Sequence, residues 1–378
     1  MSLSSPSQPS PAGGADPGAA AESRTQGVVR RPGLDVIRGL AVALVLLRHS
    51  FAPTFPNAGI TGVVLFFALS GYLITGVLSS EMKRRGRVSF RRFYRNRLIR
   101  LYPALLALLA IFVAVELSTD LLDDRAKVWR SFWGAVTYTT DIWTDGLSAA
   151  VSHLWTLAIE EQFYLLWPVV LVFALRRRRV GTTLLVGTVV VLVACWSVIR
   201  ANSSQVQVVY VYPTSWAVIM LIGAAGHLYR DRLRRVLSGR VGQATALVAV
   251  ATVIALTFLP ESKNRPWLYL VVGPVIGVCA VLMILQAERW STLPAVLAPL
   301  RVLGLVSYAA YLWNFPIVRW LTAANDGVLD WPQRWATIPL TVLAATLSWW
   351  LVEKPFVRYR QRLDTRDGPG PRAATVQR

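Results

Sequence analysis

The chain has 378 residues, of which 54% are hydrophobic, with a mean hydropathy of +0.46 and 15 tryptophans. That balance excludes an ordinary soluble domain and describes an all-α polytopic membrane protein. The net charge of +20 would suggest nucleic acid in a soluble protein, but here the distribution of basic residues between loops accounts for it, and no nucleic-acid partner is expected.

Residues 1–30 are rich in Ser, Pro, Gly and Ala and lack an apolar run, so they read as a disordered cytoplasmic tail rather than a cleavable signal. The basic, Gly/Pro-rich stretch 359–378 reads the same way. Between them, 31–358 forms the membrane domain. Ten segments are long and apolar enough to cross a hydrocarbon core of about 30 Å. They lie near 34–52, 59–79, 98–117, 153–175, 181–199, 210–229, 242–259, 267–286, 303–322 and 336–356. Connections on one side carry 29 Lys and Arg, those on the other carry eight. The asymmetry favours about ten transmembrane helices with both termini in the cytoplasm. Cys195 and Cys279 sit in apolar runs without metal-ligand or disulfide spacing, and no metal site is expected.

The first span, LDVIRGLAVALVLLRHS, carries Asp35, Arg38 and His49. At about 100° per residue, Arg38 and His49 differ by three turns plus roughly 20°, and Asp35 lies one turn before Arg38. The three form one polar stripe about 16 Å long between Arg38 and His49. An ionised side chain inside a bilayer costs roughly 2.5–3.5 kcal/mol on insertion scales, so the stripe is a functional candidate facing protein or water. In the second span, Ser70–Gly71 permits close helix approach, and Ser70 is also a candidate substrate contact.

The basic loop that follows contains Lys83 and eight arginines. It anchors topology and touches anionic lipid. Arg97 and Arg100, one turn apart ahead of Pro103, project from the mouth of the third helix and suit a phosphate-bearing ligand, because the guanidinium fork binds phosphate bidentately. The outer stretch 118–152 carries Trp129, Trp133, Tyr138 and Trp143 with Asp141 and Asp145, either an interfacial belt or an aromatic platform for a sugar.

In the fourth span, HLWTLAIEEQFYLLWP, residues His153, Glu160 and Tyr164 fall within roughly 20° of one line, while Glu161 is about 80° off it. Two adjacent intramembrane carboxylates need partners, and Arg38, Arg48 and the arginines at the third helix are available. Pro168 frees a carbonyl in this helix. In the ninth span, Ser307, Tyr311 and Asn314 share a face and line a cavity or bond between helices.

These motifs together resemble the membrane acyltransferase-3 family, bacterial O-acyltransferases acting on cell-envelope sugars and macrolide-type antibiotics. Leu34, Asp35, Arg38, Gly39 and His49 match its first-span pattern; GVVLFFALSGYLI, Arg97/Arg100/Pro103, HLWTLAIEEQFYLLWP, SYAAYLWNFP and EKPFVR match others in order. Asn96 and Asn314 stand where many members have arginine and histidine, which leaves His49 as the stronger candidate base. The resemblance implies a multi-pass enzyme of the bacterial plasma membrane, with no permanently bound cofactor. Acyl-coenzyme A, commonly acetyl, would be the cytoplasmic co-substrate, and the acceptor a hydroxyl on a glycan, glycolipid or small molecule. His49 is then expected as general base, with Glu160 and Glu161 orienting it or stabilising its charged form. Arg38, held by Asp35, would polarise the thioester or grip the donor, and Arg97 and Arg100 would bind phosphates. His153, Tyr164, Ser70, Tyr311 and Asn314 complete the expected binding set. The rival class is a transporter or flippase for a polar or lipid-linked substrate, its charged stripe a transport path.

Overall fold

A computed structural model describes residues 31–143 and 146–366; both terminal tails up to residue 30 and from 367, and Asp145, lie outside them. The described residues fold into helices without strands. In chain order these are α1 (Pro32–Ser50), α2 (Ala58–Arg85), α3 (Phe90–Thr119), α4 (Val128–Val136), α5 (Trp155–Arg176), α6 (Val180–Ala201) and α7 (Pro213–Leu228). They continue with α8 (Arg230–Val236), α9 (Gly239–Thr257), α10 (Gly273–Ala287), α11 (Ala298–Leu305), α12 (Ser307–Ala323), α13 (Trp331–Ser348) and α14 (Lys354–Arg366).

Each of the ten apolar segments is helical. Seven helices are long and apolar enough to cross a membrane, or eight if α11 and α12, bent by 73° at Val306, are one span. The remaining two segments are α1, which carries three charged residues, and the 16-residue α7. The basic stretch expected as a loop is mostly helix. Arginine is a good helix former, so α2 runs on to Arg85, where left-handed Gly86 (φ 67°) ends it. Ser89 then caps α3 by accepting from the Arg92 amide, which puts Arg91–Arg97 on the helix. At the other end α14 continues through Arg366, past the boundary placed at 358.

Two close crossings hold the centre. A Cβ on Gly39 of α1 would collide with the Leu300 carbonyl of α11, and one on Gly304 of α11 with the Asp35 carbonyl of α1. Gly71 of α2 and Gly223 of α7 meet the Met220 and Ala68 carbonyls in the same reciprocal way. Backbone-to-backbone contact of this kind is how membrane helices gain packing when water provides no drive between them. The central α2 is mostly buried by its neighbours, whereas α6 and α9 present Leu, Val and Ile outward, as lipid-facing helices do.

Candidate active site

Two cavities open between the helices, and they divide the polar residues of the sequence. The first, about 470 Å³, lies where α1 and α12 end and α2, α5 and α13 begin. His49 and His153 line it, with Arg48, Lys263, Arg319 and Arg334. The second, about 210 Å³, lies toward the opposite ends of α1, α2, α5 and α12, with α3 in its wall. Arg38, Ser70, Arg97, Arg100, Glu160 and Tyr164 line it. Three residues line both, Val63, Thr156 and Tyr311. The stripe of the first span is therefore shared: Arg38 serves one cavity and His49 the other.

His49 sits in the last turn of α1, and its Nδ1 is 2.7 Å from Asn314 Oδ1. The tautomer follows from the next links. Thr341 donates its hydroxyl to the Thr337 carbonyl at 2.7 Å, so its oxygen accepts from Asn314 Nδ2 at 3.2 Å. That fixes the amide, and Asn314 Oδ1 must accept from His49 Nδ1–H. Nε2 then carries the lone pair, the state a general base requires. The ring packs edge-on against Phe315 at 4.7 Å, and His153 packs on the same phenyl ring at 5.1 Å. The Leu312 carbonyl, which Pro316 leaves without a helical donor, and that of Ala150 approach His153, but neither makes a hydrogen bond of normal geometry.

In the second cavity, Asp35 is buried beneath Arg38 and bonds it at 2.9 Å. Ser70 donates to Glu160 Oε1 at 2.5 Å. Glu161 lines neither cavity; both its oxygens take the Arg97 fork, at 2.5 and 2.8 Å. The Arg97 guanidinium also lies 3.4 Å above the Tyr164 ring. Arg100 is exposed to the cavity and makes no ion pair or hydrogen bond among the described residues. Pro168 lacks the N–H that would bond the Tyr164 carbonyl, and the Tyr94 hydroxyl reaches the carbonyls of Tyr164 and Leu165 at 3.4 and 3.0 Å. The expected freed carbonyl is thus met by a side chain.

The boundary between the cavities is polar. Tyr311 Oη lies 2.5 Å from Thr156 Oγ1 and donates to the His153 carbonyl at 2.9 Å.

The expectation that Glu160 and Glu161 orient His49 is corrected. Both carboxylates lie beyond the Thr156–Tyr311 boundary, bound to Ser70 and Arg97, and the neutral Asn314 orients the imidazole instead. Arg48 pairs with Glu261 at 3.6 Å, not with the fourth-span acids. Gln162 bonds Asp141 at 2.9 and 3.0 Å. Trp129, Trp133 and Trp143 are exposed and line neither cavity. Sequence reading missed Thr156, although it lies one turn before Glu160 on the polar face of α5. It also missed Arg319 and Lys263, whose place in a cavity has no local signature.

Residues 31–353 match the model of a family described as an acyltransferase domain, Acyl_transf_3. The chain is 28% identical over 343 residues to the O-acetyltransferase OatA of Staphylococcus aureus, covering 86% of this chain and 57% of that protein. It is also 28% identical over 349 residues to the peptidoglycan O-acetyltransferase OatA of Listeria monocytogenes, covering 86% and 55%. The chain thus spans a little over half the length of the curated relatives it matches. No solved structure matches it. The family model takes in all fourteen helices but the last, α14, and with it both cavities and the boundary between them: this chain belongs to the Acyl_transf_3 family of acyltransferase domains.

Proposed function

We propose that the chain is an integral-membrane O-acyltransferase that moves an acyl group, acetyl, from acyl-coenzyme A to a hydroxyl of a cell-envelope glycan or glycolipid. The relatives named as O-acetyltransferases support the reaction class. The loop charges support ten spans with α1 starting and α14 lying at the cytoplasmic face of a bacterial plasma membrane. In that orientation the Arg100 cavity faces the cytoplasm and the donor, and the His49 cavity faces outward and the acceptor.

The observation that carries this reading is the shared boundary of Val63, Thr156 and Tyr311. It brings a cavity with an uncommitted arginine against one with a base-competent imidazole. Arg100 and Arg38 hold the donor, Arg97 being fixed by Glu161 as a scaffold for Tyr164. The acyl end lies at the boundary. His49 Nε2 removes the proton of the acceptor hydroxyl as its oxygen bonds to the thioester carbonyl carbon. The Tyr311 and Thr156 hydroxyls, which bond each other and the His153 carbonyl in the resting site, turn to donate to the carbonyl oxygen as it gains charge. The C–S bond then breaks, and the thiolate takes the proton back from His49.

Purified protein incubated with acetyl-coenzyme A and glycan acceptors is expected to release thiol. His49→Ala should lower that rate by about 10²–10⁴-fold, the usual contribution of a general base, with unchanged thermal unfolding. A parent protein that carries glycan across vesicles without acyl-coenzyme A and releases no thiol is a transporter, and the reading fails.

A further inference from the structure

The His49 cavity is cationic in a way that topology does not explain. Arg48, Lys263, Arg319 and Arg334 line it, and no Asp or Glu does. Only eight Lys and Arg fall in the connections at that end of the molecule, yet three of the eight, Lys263, Arg319 and Arg334, meet here. Two of the three arginines of the other cavity are matched, Arg38 by Asp35 and Arg97 by Glu161, and Glu160 stands in the wall with Arg100. Outside the lining of the His49 cavity a single acid, the half-exposed Glu261, stands at 3.6 Å from both Arg48 and Lys263. Arg334 donates only to backbone, to the carbonyls of Leu329 at 2.9 Å and Ala52 at 3.2 Å. Arg319 has no hydrogen bond or ion pair among the described residues, and its Nε is buried. Gathering partly buried cations without matching acids is costly unless an anion completes them.

We infer that the cavity is an anion subsite and that the acceptor is an acidic glycan, its carboxylate or phosphate held by Arg319 and Lys263 so that a neighbouring hydroxyl faces His49. The word acceptor rests on the acyl-transfer reading; the anion subsite rests on the cations alone. Arginine supplies the planar fork that suits either oxyanion, and lysine a point charge beside it. Arg48 and Lys263 share the one acid, Glu261, and Arg334 is held by backbone carbonyls, while Arg319 is the uncommitted donor.

The test uses the purified protein, no acyl-coenzyme A, and three sugars that differ only in the group at C6: glucose, glucuronate and glucose 6-phosphate, titrated by saturation-transfer NMR. At least one anionic sugar is expected to bind tenfold or more tightly than glucose, and the preference should shrink with added salt. Whether it is glucuronate or glucose 6-phosphate tells carboxylate from phosphate. Arg319→Gln and Lys263→Gln should each reduce the preference at least fivefold. Arg319 makes no bond whose loss would unfold the protein, and thermal unfolding checks both variants. Equal binding of all three sugars overturns the inference, as does an anion preference that survives both replacements. Because no acyl transfer is read, failure here leaves the His49→Ala thiol-release result standing, and failure there leaves this one.

Discussion

At the residue scale the decisive contact is the one from His49 to Asn314. An asparagine at that position makes the site depend on a neutral amide whose orientation Thr341 fixes. Replacing Asn314 with Leu removes the acceptor for Nδ1–H and frees the imidazole to change tautomer. The turnover number should fall about tenfold or more, while the KM for acetyl-coenzyme A, bound in the other cavity, should hold. Tyr311→Phe should lower turnover further, by about 10²–10³-fold, the usual cost of losing one donor to a developing oxyanion. Lys263 gives a pH signature. Burial pushes its ammonium below the lysine reference of 10.5; Glu261 opposes this and Arg48 adds to it. The other charged or titratable groups around that cavity are His49, His153, Tyr210, Tyr311, Arg319 and Arg334. Anion binding needs the protonated amine, so it should weaken as pH rises, starting below the range of an ordinary lysine, and that limb should vanish in Lys263→Gln.

Among the elements, the glycine crossings fix where the catalytic candidates stand. The crossing of α1 with α11 sets the depth of Arg38, and that of α2 with α7 sets Ser70 against Glu160. A Cβ at Gly71 or Gly223 has backbone, not a flexible side chain, in its way. Gly71→Val and Gly223→Val are therefore expected to destabilise the protein by ~3 kcal/mol, the upper end for overpacking, seen as a lower unfolding temperature in detergent. Gly86→Ala, by contrast, meets open space and suffers only from its positive φ, so its effect should be about 1 kcal/mol.

For the whole molecule, the proposed direction of transfer rests on where charge and cavities lie: a basic end around the Arg100 cavity and a separate cationic pocket around His49. Orientation is checked by single cysteines in a background without Cys195 and Cys279. A cysteine at exposed Val328, by the His49 cavity, should react with an impermeant maleimide in intact cells. One at exposed Arg87 should react only after permeabilisation. The reverse pattern would invert donor and acceptor sides.

Sequence alone determined the helical membrane architecture, the family, and most of the polar residues that line the Arg100 cavity. Those features rest on apolar run length, on period and on ordered motifs, all of which are local in the chain. The partnerships were decided by the tertiary structure. Helical phase put Glu160 and His49 on polar stripes, but phase says nothing about which stripe faces which. Packing of α1 against α12 gave His49 to Asn314, and a side-chain bond from α12 to α5 joined Tyr311 to Thr156. Arg319 and Lys263 look like ordinary loop-side charges until five distant segments of chain gather them around one opening. The first-span stripe thus kept its residues and changed its meaning, because a line of polar groups on one helix acquires partners only from its neighbours.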